Sequence, residues 1–145
     1  VIGVLLWLHG PGKGGKDAQD MVDIWGDFCD DHHFLLVGPT SRNPDGWVAT
    51  ESEEVVQVLN EVAGRYTTDR TRVAVHGMGV GGQMAFYLGF QARDLVRGVA
   101  TTGAALGNQP KDGDPARPLA FFVVAGDRDP LVREIADGVA KLKEK

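Results

Sequence analysis

The chain alternates short apolar runs with stretches whose apolar residues recur every three or four positions. Runs rich in Val, Leu and Phe predict strands over Val1–Leu8, Phe34–Val37, Arg72–His76, Val96–Thr101 and Leu119–Ala125. Helical spacing predicts a helix over Asp17–Asp30, with Met21, Ile24, Trp25 and Phe28 as its apolar stripe. A second helix is predicted over Thr50–Gly64, with Val55, Val58, Leu59 and Val62 inward and Thr50 and Glu53 as a capping box. Two more follow, Val80–Ala92 and Leu131–Leu142. Strands alternating with helices in this way predict an α/β domain with a mostly parallel sheet and helices on both faces. Two longer loops, Gly38–Trp47 and Gly103–Pro118, leave the carboxyl ends of strands, where open sheets place ligands, and are expected to wall any pocket.

Length and charge narrow the classes of partner. A chain of 145 residues predicts a single domain, and one of that size buries roughly 68–70% of its unfolded surface. Fifteen basic residues against twenty acidic ones give a net charge of −5, with no basic cluster to track a phosphate backbone, which argues against nucleic acid and anionic membranes as partners. The longest apolar run, "VIGVLLWL", falls short of the ~20 residues of a membrane span. The chain opens directly in a strand with no basic leader, so no signal peptide is expected. A start inside a strand leads us to expect a piece of a longer polypeptide with further domains. The single cysteine, Cys29, excludes an internal disulfide and reads as a small buried helix residue.

Two glycine-rich turns carry the candidate chemistry. "GPGKGGKD", Gly10–Asp17, approaches the phosphate loop G-x-x-x-x-G-K-[ST], with Lys16 as its lysine. It places a carboxylate, Asp17, where the hydroxyl should hold Mg²⁺, and Pro11 removes one amide donor. "VAVHGMGVGG", Val73–Gly82, contains G-x-G-x-x-G as Gly77, Gly79 and Gly82, a dinucleotide fingerprint. The following strand, however, ends in Thr101, Thr102 and Gly103 without the acidic residue that would bind a ribose. The same stretch is also G-x-S-x-G with glycine at the serine position, Gly79.

The last reading connects most of the chain. "RYTTDRTRVAVHGMGVGGQMAFYLG" resembles the nucleophile segment Y-x-x-D-x-x-R-V-x-V-x-G-x-S-x-G-G of the α/β-hydrolase superfamily, in its branch of polyester depolymerases, feruloyl esterases and related carboxylesterases or peptidases. Tyr66, Asp69, Arg72, Val73, Gly77, Gly81 and Gly82 fall on that pattern. "LLWLHGPG" resembles the strand and His-Gly turn of the oxyanion loop, with His9 and Gly10 on its motif. "FFVVAGDRDPLV" resembles the turn that carries the triad acid, which the resemblance assigns to Asp129. The resemblance implies an α/β-hydrolase-like three-layer sandwich truncated at both ends, running from the third strand of that fold to the helix before its last strand. The family's catalytic histidine follows that last strand.

The resemblance also shows what is missing. A serine elbow holds its residue at positive φ, which glycine adopts freely, so the turn is expected to persist at Gly79 without its oxygen. The chain has two serines, Ser41 in a loop and Ser52 in the first turn of a helix, and neither follows a strand closely enough to substitute. The oxyanion positions implied are the amides of Val80 and of residue 11, and Pro11 has no N–H. Losing one such donor costs ~10²–10³ in rate and losing the nucleophile ~10⁶. Asp129 is equally explained as a turn and helix-capping residue before Pro130. His9 and His76 read as packed histidines at adjacent strand ends, and His32 and His33 as helix-terminal residues. The sequence therefore predicts a catalytically degenerate hydrolase-like domain, a binding or structural module with no cofactor or metal, holding at most a small acyl or peptide-like ligand above Gly79. Two alternatives stay open: an active esterase or peptidase whose missing residues lie elsewhere or were altered, and a nucleotide-binding domain using Gly77, Gly79 and Gly82 or Gly10–Lys16.

Overall fold

A computed structural model of the chain describes residues 2–10, 14–43, 46–107 and 119–143, with side chains left out at 14–18. The apolar runs form β1 (Ile2–Leu8), β2 (Phe34–Val37), β3 (Thr68–Met78), β4 (Gly98–Thr102) and β5 (Ala120–Val124). All pair in parallel in one sheet of order β2-β1-β3-β4-β5. Between and after them lie α1 (Gly14–His32), α2 (Ser52–Arg65), α3 (Val80–Gln91) and α4 (Val132–Lys143), with a 3₁₀ turn at Ala49–Glu51 before α2.

Parallel strands need cover on both faces because their crossovers place helices there. Along β1, Val4, Leu6 and Leu8 join the core shared with Met84, Phe86 and Leu88 of α3, while Leu5 and Trp7 are buried on the opposite face. On that opposite face α1 lays Trp25 against His76 of β3, ring centroids 5.2 Å apart. The chain is thus a mostly parallel sheet with helices on both faces, as the hydropathy pattern predicts. At the edge, Phe121 of β5 packs beside Phe86 and Phe90, while Phe122 and Val124 on the α1 side are exposed.

Three details differ from the sequence prediction. The first is β3, which begins at Thr68 rather than Arg72: Asp69 Oδ1 accepts from Thr71 N (2.9 Å) and Thr71 Oγ1 (2.6 Å), a local turn within a register break against β1. The inward line of α1 is Met21, Trp25 and Cys29, spaced by four; Ile24 and Phe28 lie one line over and are 64% and 43% exposed. The predicted Thr50–Glu53 box is absent because the chain enters α2 through the 3₁₀ turn. There the acidic partner is Glu51, whose carboxylate accepts from Val48 N at 3.2 Å while its own N–H donates to Val48 O at 2.9 Å.

The far end of the sheet explains the place of Arg72 in the motif around β3. Arg72 Nη2 donates to His32 O at 2.7 Å and its guanidinium lies 4.6 Å from the Phe34 ring centroid, so one side chain satisfies a carbonyl at the end of α1 and covers the start of β2. His33, at φ 59°, turns the chain between them.

At the carboxyl end, α3 enters the sheet more closely than any side chain would allow. A Cβ on Gly77 would overlap the Gly81 backbone, one on Gly81 would overlap the carbonyls of Leu8 and His9, and one on Gly82 would overlap Ala104 Cβ. Space that a Cβ would fill is already occupied by the protein's own atoms. Gly81→Ala is therefore expected to lower stability by about 3 kcal/mol, because the obstructing atoms are backbone and cannot rotate away. Urea unfolding of the variant checks this; a midpoint unchanged from wild type would refute the packing.

Candidate ligand site at the carboxyl end of the sheet

The strand order reverses between β1 and β3, since β1 connects to β2 on one side while β3 and its successors build on the other. Open parallel sheets leave a crevice outside their carboxyl ends at such a point. Here it is a cleft of about 560 Å³ lined by Trp7, Gly10, Asp20, Asp23, Ile24, Met78, Gly79, Thr102 and Gly103. Its residues come from the ends of β1, β3 and β4 and from the flank of α1. A smaller cavity of about 130 Å³ lies beside it, lined in part by Trp47, Val80, Gln83, Tyr87 and Leu106.

Gly79 forms the bend between the two hollows. It sits at φ 57° and ψ −124°, a region glycine reaches freely and side-chain-bearing residues reach only with strain. Its N–H donates to Thr102 O at 3.1 Å, and its carbonyl accepts from Gln83 N at 3.1 Å, which starts α3. The N–H groups of Val80, Gly81 and Gly82 in that first turn have no intrahelical acceptor, and the helix dipole adds partial positive charge there.

Asp129 lies near this edge. Its Oδ1 accepts from Leu131 N at 2.9 Å, the turn that leads into α4. Its Oδ2 faces Gly103, where an added Cβ would stand 3.2 Å away. Gly103, at φ 62°, also lines the cleft, so Gly79 and Asp129 share a neighbour. Val80 lines the smaller cavity, and Gly10 the larger. Pro11 and the Lys16 side chain lie outside the described residues.

Behind the cleft is a buried polar lock that the sequence reading missed. His9, 2% exposed, accepts Ser41 N–H at Nε2 (2.9 Å), so its ring hydrogen is on Nδ1 and is donated to Gly10 O at 2.8 Å. Trp47 Nε1 donates to His9 O at 3.1 Å, and the two rings lie 5.1 Å apart. Glu51, 8% exposed, accepts from Ser41 Oγ (2.7 Å), Arg42 N (3.2 Å) and Val48 N (3.2 Å). These bonds clip the segment after β2 to the end of β1. The available signal was an acidic residue shortly after a loop holding Ser, Arg and Asn, a donor-rich setting for one buried carboxylate.

The lock also changes which elements wall the cleft. The Gly38–Trp47 loop was expected to do so, but its residues turn inward to His9 and Glu51, and Trp47 lines only the smaller cavity. The second expected loop contributes Gly103, while residues 108–118 lie outside the described residues. Among the described residues, α1 also lines the cleft, with Asp20, Asp23 and Ile24.

Other candidate groups are explained by packing. Cys29 is buried, and burial followed by the neighbouring Asp30 charge pushes its thiol above the ordinary range, which disfavours the thiolate a nucleophile needs. His76 has no partner at Nδ1, and burial pulls its imidazole below the ordinary range. Among the described residues, no three His, Cys, Asp or Glu side chains converge to hold a metal ion, and no helix is long and apolar enough to cross a membrane.

With this geometry in place, comparison with known proteins identifies the architecture. FphF, a fluorophosphonate-binding serine hydrolase of Staphylococcus aureus, superposes with a TM-score of 0.74 at 13% identity over 99% of this chain and 71% of its own. The Bacillus cereus carboxylesterase superposes with a TM-score of 0.73 at 21% identity over 99% of this chain and 74% of its own. A thermostable esterase gives a TM-score of 0.69 at 16% identity over 97% of this chain and 44% of its own. In sequence, the chain is 30% identical over 93 residues to a Nocardia uniformis subsp. tsuyamanensis protein named "Putative esterase NocK", a match covering 64% of this chain and 26% of that protein. No protein-family model matches the chain. The chain has the α/β-hydrolase fold, and it spans about a quarter of the length of the curated relative and less than half of the thermostable esterase.

Two tests follow from the site's electrostatics. Glu51→Ala leaves three donors without their acceptor and is expected to destabilise by about 3 kcal/mol, with Glu51→Gln losing roughly half of that. Amide exchange should accelerate selectively at Arg42 and Val48, and unchanged protection there would refute the lock. His76 is held neutral by burial, so its effect on stability is absent above the unfolded value near 6.5 and costs stability as pH falls from there through its depressed folded value. His76→Phe is expected to flatten that part of the stability–pH curve in denaturant titrations, and an unaltered slope would contradict it.

Proposed function

We propose that this domain is a non-catalytic member of the hydrolase architecture that binds a small acyl or peptide-like ligand in the cleft over Gly79. The observation that carries the reading is the bend itself. The angles at position 79 are those of an exposed elbow, a 560 Å³ cleft opens above it, and the residue has no side-chain oxygen to attack an ester or amide. Glycine removes the strain that a side chain would carry there, so the bend persists as part of the cleft's lining. The fold neighbours named as esterases and hydrolases support a hydrolase-like domain, and the absent nucleophile separates this chain from their chemistry.

The dinucleotide alternative has less support from the same glycines. Gly77, Gly81 and Gly82 are explained by the close approach of α3 to the sheet, which needs no pyrophosphate.

The experiment is turnover of p-nitrophenyl butyrate by wild type, Gly79→Ser and Asp129→Ala. Wild type is expected to show no rate above buffer. Gly79→Ser is expected to lose about 1–3 kcal/mol of stability, because serine must then hold the positive-φ bend. A wild-type rate that disappears in Asp129→Ala would establish the alternative of an active esterase.

A further inference from the structure

The smaller cavity, about 130 Å³, stands apart from the cleft and is built from the start of α3, the 3₁₀ turn and the segment after β4. Its buried lining is apolar, with Met84 3% and Leu106 6% exposed. Trp47 closes one side, and its ring is held in place because Nε1 donates to His9 O at 3.1 Å while His9 is itself fastened to Ser41. That side is therefore formed before any ligand arrives. At the solvent side stands the exposed Gln83, with Tyr87 one helical turn further along the same face of α3. The Gln83 carboxamide lies over Gly107, where an added Cβ would stand 3.8 Å from its Nε2. Among the described residues, neither the Gln83 carboxamide nor the Tyr87 hydroxyl is hydrogen-bonded to the protein. A preformed apolar hollow with two uncommitted polar groups in its lining is the arrangement of a small-molecule site. The volume sets the scale of the ligand: an apolar cavity of about 150 Å³ takes benzene, so about six non-hydrogen atoms fit here.

We propose that this cavity binds a short-chain primary carboxamide, with its alkyl end inward and its amide group at Gln83. Gln83 presents two donors and an acceptor in one plane, and a ligand carboxamide presents the same set. The two pair by reciprocal N–H···O bonds, each nitrogen donating to the other's carbonyl oxygen, and the Tyr87 hydroxyl offers an acceptor for the remaining N–H. A ketone of the same shape has no N–H to give, and a carboxylate brings only acceptors against the Gln83 carbonyl oxygen, so both are disfavoured. The alkyl end displaces water from Met84, Leu106 and Trp47, where each methylene buried is worth about fourfold in affinity.

The test is titration of the chain with acetamide, butanamide and hexanamide, and with pentan-2-one and butanoate as isosteres of butanamide. Two-dimensional NMR reads the Gln83 side-chain amide and the Trp47 indole, with the Gly79 backbone amide reporting on the cleft. Butanamide is expected to shift Gln83 and Trp47 saturably, about tenfold or more tighter than acetamide, while hexanamide, which outgrows the cavity, gains nothing further. Butanamide is expected to bind about three- to tenfold tighter than pentan-2-one or butanoate. In Gln83→Leu, an exposed substitution read at Trp47, that preference disappears, and in Ala49→Trp, which fills the cavity from its exposed wall, binding is lost. Equal affinity for butanamide and its isosteres, or a preference that survives Gln83→Leu, overturns the pairing with Gln83. Shifts confined to Gly79 and Trp7 place the amide in the cleft, which overturns this inference and leaves the cleft reading standing. Absence of saturable shifts with every compound overturns it as well.

Discussion

The structure depends on how closely α3 presses into the carboxyl end of the sheet. That approach is possible only because Gly77, Gly81 and Gly82 carry no side chain, so backbone meets backbone at Gly77 and Gly81, and the Ala104 methyl fills the space beside Gly82. Between them Gly79 takes the one positive-φ bend that reverses the chain from strand to helix. Everything at the site follows from this contact: the helix terminus is aimed over the sheet, β1, β3 and β4 end at a common level, and a cleft opens at the reversal of strand order.

Strand order alone would not have separated the candidate functions. An order of 2-1-3-4-5 is shared with doubly wound nucleotide-binding folds, which place their ligand at the same switch point. The distinction lies in why the glycines are there. In this chain three of them are filled by neighbouring protein atoms, and the fourth answers a backbone angle. Opposite the bend, Ser41 and Glu51 fasten the segment after β2 onto His9, which turns an expected pocket wall into a buried brace. Among the described residues, α1 contributes Asp20, Asp23 and Ile24 to the cleft.

Much of the architecture was legible in the sequence because a strand buried on both faces must be continuously apolar, as β1 is, and the edge strands β2 and β5 are apolar runs as well, although β5 exposes its α1 side. The turn at Gly79 was legible because few local sequences place glycines at such spacing directly after a strand. What could not be read were features fixed by tertiary contacts. Periodicity put Ile24 and Phe28 on the stripe of α1, yet the sheet selected the line through Met21, Trp25 and Cys29. A capping box at Thr50 and Glu53 was plausible locally, but Glu51 was drawn to three donors, two of them beyond the helix in the preceding loop. Which α1 residues line the cleft was invisible for a related reason, since only the docking of that helix decides it.

The central claim is that position 79 keeps the shape of an elbow without a group able to form a covalent bond. Its most direct test is intact-mass spectrometry after prolonged exposure of the folded protein to an alkyl fluorophosphonate. Our account predicts an unchanged mass, with the cleft still able to hold a reversible ligand. A stoichiometric phosphonyl adduct abolished by unfolding would contradict it, since it would require an activated nucleophile in the native fold.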